Sequence, residues 1–230
     1  MNGAPAVDSG NVNRIARAGI AAAHAISYMF ARMLKRFINS PYTLWLLLAL
    51  PAFLMLKDAF TYRAGYSALL YESGEWSARL MIVAMAVTPL RMLFKGWQFP
   101  SWLMKRRRYI GVAAFGYGLL HFVFFLMREG DLAYIFADMG QTWMWTGWIA
   151  FLVLVPLALT SNNWSVRALG WRWKRLQQLV YLAAVLAFGH WVLHRYNFGP
   201  ALMWFMPLTV LELYRIRLSF LRSRAVLQPS

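Results

Sequence analysis

Arg175 to Arg195 reads RLQQLVYLAAVLAFGHWVLHR, and no residue between the two terminal arginines is charged. At ~1.5 Å rise per residue, a helix of about 20 residues crosses the hydrocarbon core of a bilayer. The stretch therefore reads as a transmembrane helix, and near its far end it carries His190 and His194. An imidazole inside a membrane is costly to place, so it points to function. A second run, Tyr109 to Met127, reads YIGVAAFGYGLLHFVFFLM and carries His121. Two histidine-bearing spans are the frame on which the remaining chain is read.

Composition agrees with a membrane setting. Of 230 residues, 60% are hydrophobic and mean hydropathy is +0.46, whereas a soluble domain averages about 45–50% apolar. The net charge of +16 does not indicate nucleic acid, because the cations stand in short clusters between apolar runs rather than in one patch. The chain has no cysteine, which excludes disulfides, thiolate-ligated iron–sulfur clusters and thioether-linked haem. The first apolar stretch follows Arg17 without a cleavage site, so no secretory signal is expected.

The expected fold is an all-α integral membrane protein, a six-helix bundle preceded by a short amphipathic helix. The spans are expected near Ile38–Leu56, Trp76–Phe94, Tyr109–Met127, Thr142–Leu159, Leu176–His194 and Pro200–Leu218. Arg14 to Arg36 has an uncharged core of only Ala18 to Ala31, short for a span, and is expected to lie on the membrane surface with His24 outside the bundle. The division is thus 1–37 for the N-terminal extension, 38–220 for the bundle and 221–230 for the tail.

Alternation of charge sets the orientation. Lys95 and Lys105 to Arg108 follow span two; Arg167, Arg172, Lys174 and Arg175 follow span four; Arg222 and Arg224 lie in the tail. The intervening loops are poor in base, and the one after span three holds Glu129, Asp131 and Asp138. The positive-inside rule then puts both termini of this multi-pass protein in the cytoplasm.

Spans three and five run in the same direction, with His121 about 12 and His190 about 14 residues into their spans, so both lie at one depth in the outer half of the membrane. Two such imidazoles can clamp one b-type haem iron, and a six-coordinate iron suits electron transfer. Small residues precede each histidine on its own face: Gly118 and Ala114 before His121, Ala187 and Ala183 before His190. They suit either the approach of a flat macrocycle or ordinary helix packing. His194, one turn beyond His190, is an alternate ligand or a propionate partner. Arg128 and Arg195 stand where they could pair propionates or mark the interface. No GxGxxG, P-loop or HExxH motif occurs, so electrons are expected from another protein or from quinone.

The segments PYTLWLLLALPA (41–52), SGEWSARL (73–80), VTPLR (87–91), RRYIGVAAFGYGLLHF (107–122), LTS (159–161) and LGWRWKRLQQLVYLAAVLAFGHW (169–191) together resemble the MsrQ family. Its members are haem-binding membrane subunits of periplasmic methionine sulfoxide reductase systems within the ferric-reductase-like transmembrane superfamily. The resemblance implies a haem b electron-transfer subunit of the bacterial inner membrane, with His121 and His190 at ligand positions. It would receive electrons from quinone or a flavin donor and pass them to a periplasmic molybdopterin reductase. FMN enters through the resemblance alone. The pattern departs at Gln177, where the family carries a histidine in WxxLHxxVYL. One haem is therefore expected, with two requiring an unusual inner ligand. The competing readings are a stand-alone ferric- or quinone-type reductase and a haem-free scaffold or transporter.

Overall fold

A bilayer core offers no water to exposed peptide groups, so a chain this apolar satisfies its backbone locally by forming helices. The computed structural model describes the backbone of residues 9–195 and 198–227, and side chains except those of 1–23, 132, 138, 195–197 and 222–230. Among the described residues the regular structure is helical throughout. It divides into two units, Met1–Leu47 and Leu48–Ser230.

The first unit holds α1 (Ser9–Asn39) and the opening turns of α2 (Pro41–Phe60). His24 on α1 is exposed. In the second unit, the rest of α2 is followed by α3 (Tyr66–Leu93) and α4 (Gln98–Glu129). A short α5 (Leu132–Ala137) and a 3₁₀ turn lead to α6 (Thr142–Leu159). Two further short helices, α7 (Asn163–Leu169) and α8 (Trp171–Gln177), precede α9 (Val180–Arg195) and α10 (Phe198–Leu227).

Among the described residues, five stretches are long and apolar enough to cross a membrane: α2, α3, α4, α6 and the α8–α9 run Trp171–His194. The expected sixth span corresponds to α10. It is not among the five; its uncharged run ends at Leu211, with Glu212, Arg215 and Arg217 following. Two further differences from the sequence expectation concern helix ends. Helix α3 starts ten residues before Trp76, and α4 starts eleven before Tyr109, taking Lys105 to Arg108 into the helix rather than a loop. Lys and Arg are good helix formers whose long stems carry the charge away from the apolar core, so charge marks the membrane edge without ending the helix.

Helix α3 is the centre of the second unit. It packs on α4, α10 and α9, while α6 packs on α9 and α4. Small residues allow the α3–α4 approach: Ser77 Oγ donates to the Ala114 carbonyl at 2.8 Å, and a Cβ on Gly118 would stand 3.2 Å from that hydroxyl. Leu69, Ser73, Val87 and Phe124 are fully enclosed. Gly130 ends α4 in the left-handed region at φ 69°, where only glycine avoids a Cβ penalty, and its amide reaches the Leu126 carbonyl.

Tyr117 of α4 explains a local feature of α2. Its hydroxyl donates to the Leu48 carbonyl at 2.7 Å and accepts from the Ala52 amide at 3.0 Å. These are the two ends of what is otherwise one i→i−4 bond. The insertion lies beside Pro51, which has no amide hydrogen and already interrupts the ladder.

Candidate functional site

His121 on α4 and His190 on α9 face a common cavity bounded by α3, α4, α6 and α9. Their ring centroids are 6.1 Å apart and their planes are perpendicular, at 89°.

The same local device holds each ring. His121 Nδ1 lies 2.8 Å from the Leu70 carbonyl of α3. His190 Nδ1 lies 2.8 Å from the Trp143 carbonyl of α6. A carbonyl only accepts, so Nδ1 carries the proton in both rings and the lone pair is left on Nε2. Room for this approach comes from a glycine four residues after each acceptor. A Cβ on Gly74 would lie 2.8 Å from His121 Nδ1, and one on Gly147 would lie 2.6 Å from His190 Nδ1. Each imidazole thus rests over a bare stretch of neighbouring helix and shares a carbonyl already placed to accept within that helix. Metal-binding histidines are commonly held through the second nitrogen in this way, which fixes the tautomer and the ring direction.

The remaining expected residues lie around the pair. Gly118 and Ala187 line the cavity, while Ala114 and Ala183 are buried in helix contacts. His194 stacks with its ring nearly parallel to His190, with centroids 6.0 Å apart and an interplanar angle of 8°. Its Nε2 lies 3.2 Å from the Tyr71 hydroxyl, and its ring packs on Trp143 at 4.6 Å. Arg128 lines the cavity and pairs with Glu129, Nε to Oε1 2.8 Å. The side chain of Arg195 lies outside the described residues.

Sequence reading missed Gly74, Gly147, Tyr71 and Glu75. The last lines the cavity and is ion-paired with Arg79 one turn on. The small residues sought were on the histidines' own helices; the ones that seat the rings are on the helices opposite. A signal was available, a glycine at histidine depth in the preceding span.

At the far end of α6, Gln177 donates from Nε2 to the Leu157 carbonyl at 3.0 Å and to Thr160 Oγ1 at 3.2 Å. It meets α6 much as His190 does, with a side-chain nitrogen on a backbone carbonyl, but it offers no ring nitrogen for a metal.

Apolar helices of this length around an inward-facing histidine pair define a helical membrane protein with a candidate metal-ligating site. Residues 73–188 match the family model described as ferric reductase like transmembrane component. A haem-binding subunit MsrQ of a protein-methionine-sulfoxide reductase, from Rhizobium meliloti, is 37% identical over 156 residues, covering 66% of this chain and 70% of the relative. The counterparts of that name in Brucella ovis and Brucella abortus are each 35% identical over 155 residues, covering 66% of this chain and 68% of each relative. The chain belongs to the MsrQ family. No solved structure matches it.

Proposed function

We propose that the protein is a haem b electron-transfer subunit that passes electrons across the membrane to a periplasmic methionine sulfoxide reductase. The observation that carries this reading is the paired seating of His121 and His190, each with Nδ1 on a carbonyl and a glycine beneath it. The donor set fits the group. Two neutral imidazoles present Nε2 to one cavity, and two metal–nitrogen bonds of about 2 Å put such ring centres roughly 6 Å apart, which the observed 6.1 Å meets. The cavity volume of about 250 Å³ is at the lower edge of ligand sites.

Bound there, haem supplies a one-electron iron couple. His121 and His190 would hold the iron through their Nε2 atoms, and ligation by both imidazoles would suit electron transfer rather than oxygen activation. The Leu70 and Trp143 carbonyls hold the rings and raise their basicity through the Nδ1 protons. Tyr71 holds His194 beside the site, and Arg128, with Arg195 beyond the described side chains, provides cations for propionates. The apolar rings of Phe122, Trp148 and Phe151 exclude water.

In this reading α10 is the sixth span of a bundle over 38–220, 1–37 lies at the inner-membrane surface, and 221–230 is a cytoplasmic tail with the N-terminus on the same side. The donor is quinone or a flavin protein, and the acceptor is the periplasmic molybdopterin subunit of the methionine-repair system. FMN rests on family resemblance alone. Purification tests the central statement. A red protein whose reduced α-band is lost in both His121→Ala and His190→Ala is expected. Unchanged spectra in both variants would sink it.

A further inference from the structure

A second cavity, of about 1090 Å³, lies beyond the histidine pair, with Met81 and Leu154 shared by the walls of both. Its position follows from helix arithmetic. Arg107 and Arg108 stand 14 and 13 residues before His121, and Gln177 stands 13 before His190, which is about 20 Å of helix.

The lining is unusual for a space among apolar helices. Lys105, Arg107, Arg108, Lys174 and Arg215 all reach it, and no Asp or Glu is among its described lining residues. Arg107 donates to Thr88 Oγ1 at 3.3 Å, and Arg108 to Asn163 Oδ1 at 2.6 Å. Both partners are neutral oxygens, so they fix direction without cancelling charge. Glu212 is ion-paired with Arg215 at 3.0 Å. Five cations stand against this carboxylate; Arg107, Arg108 and Arg215 are half-buried and Lys105 and Lys174 exposed at the rim, so a counter-charge placed among them is favoured. The remaining wall is mixed: Met81, Met85, Leu154, Leu157 and Val180 form an apolar strip, with Thr88, Ser161, Gln177, Gln178 and Ser219 beside it.

We propose that this cavity seats the phosphodiester headgroup of an anionic phospholipid, with the acyl chain laid along Met81, Met85 and Leu154. Guanidinium groups match phosphate oxygens in pairs. Basic pockets between membrane helices on the cytoplasmic side are where anionic headgroups concentrate. A soluble phosphate would satisfy the cations but leave the methionine and leucine wall uncovered; a lipid satisfies both. The site stands whether or not the histidines hold iron.

The test places the full-length protein in phosphatidylcholine vesicles containing trace spin-labelled phosphatidylglycerol or spin-labelled phosphatidylcholine. The motionally restricted fraction is then read by electron paramagnetic resonance. A several-fold preference for the anionic label is expected. It should disappear in Arg107→Gln/Arg108→Gln and fall in Lys105→Gln/Lys174→Gln, whose exposed side chains carry little folding risk. It should persist in Lys95→Gln, an exposed cation outside the cavity. Circular dichroism of each variant reports folding independently of haem. Equal restriction of the two labels overturns the proposal, as does an equal loss in Lys95→Gln. Displacement of the label by millimolar inorganic phosphate would assign the cations to a soluble anion and likewise overturn it.

Discussion

The rings of His121 and His190 stand perpendicular, at 89°, with centroids 6.1 Å apart, although they come from helices that do not follow one another in sequence. The angle is a consequence of seating: one ring is turned by a carbonyl of α3 and the other by a carbonyl of α6. Were both rings to ligate one haem iron at this angle, its d orbitals would be left nearly degenerate. The oxidised protein should therefore give a highly anisotropic low-spin resonance rather than the ordinary rhombic one. A rhombic spectrum would mean that the rings lie parallel when loaded.

Gly147→Ala and Gly74→Ala test the seating. Each new Cβ falls within 3 Å of a histidine Nδ1, so the ring has to move and its carbonyl bond is lost. Disturbing such an outer contact lowers metal affinity about 10–100-fold, and a loss in that range is expected in haem titrations of the apoprotein. Gly116→Ala, with nothing within 4 Å of its Cβ, should bind as the wild type does. Equal affinity in all three variants would count against the seating.

His194 is expected to tune the site without holding it. Its Nε2 is already engaged with Tyr71 at 3.2 Å. Tyr71→Phe should keep the full α-band and move the midpoint by a few tens of millivolts, the one-electron equivalent of a hydrogen bond worth about 1 kcal/mol. Were His194→Ala colourless while His190→Ala stays red, the two histidines would exchange roles.

Tyr117→Phe isolates a purely structural contact. The hydroxyl bridges the Leu48 carbonyl and the Ala52 amide, and leaving such groups unmet costs about 1–3 kcal/mol. Thermal unfolding should occur earlier, with the haem spectrum unaltered. An unshifted unfolding curve would show that the ladder of α2 closes without the hydroxyl.

Haem stoichiometry is expected near one per chain. The inner end presents Gln177, committed to the Leu157 carbonyl, opposite Arg107 and Arg108 rather than a second imidazole. Gln177→His alone supplies one inner ligand and should not restore a low-spin pair. A wild-type pyridine haemochrome ratio close to two would contradict this count.

Hydropathy alone decided that the chain enters a membrane, because partition of a helix depends on the side chains it carries and little on its neighbours. It also singled out His121 and His190, since an imidazole is conspicuous in an apolar run and the arithmetic of helical rise gives its depth. Charge clusters showed where the membrane ends but misjudged where α3 and α4 begin, as cationic side chains reach water from within a helix.

What tertiary structure decided is the register between helices. Leu70 with Gly74, and Trp143 with Gly147, become a cradle only when α3 lies beside α4 and α6 beside α9 with those residues level. Nothing local in either segment encodes that alignment. It arises from packing of small residues such as Ser77 against Ala114 and Gly118, a property of two surfaces meeting and not of either strip of sequence. The composition of the chain placed two imidazoles at one depth; the fit of one helix against another turned them to face each other.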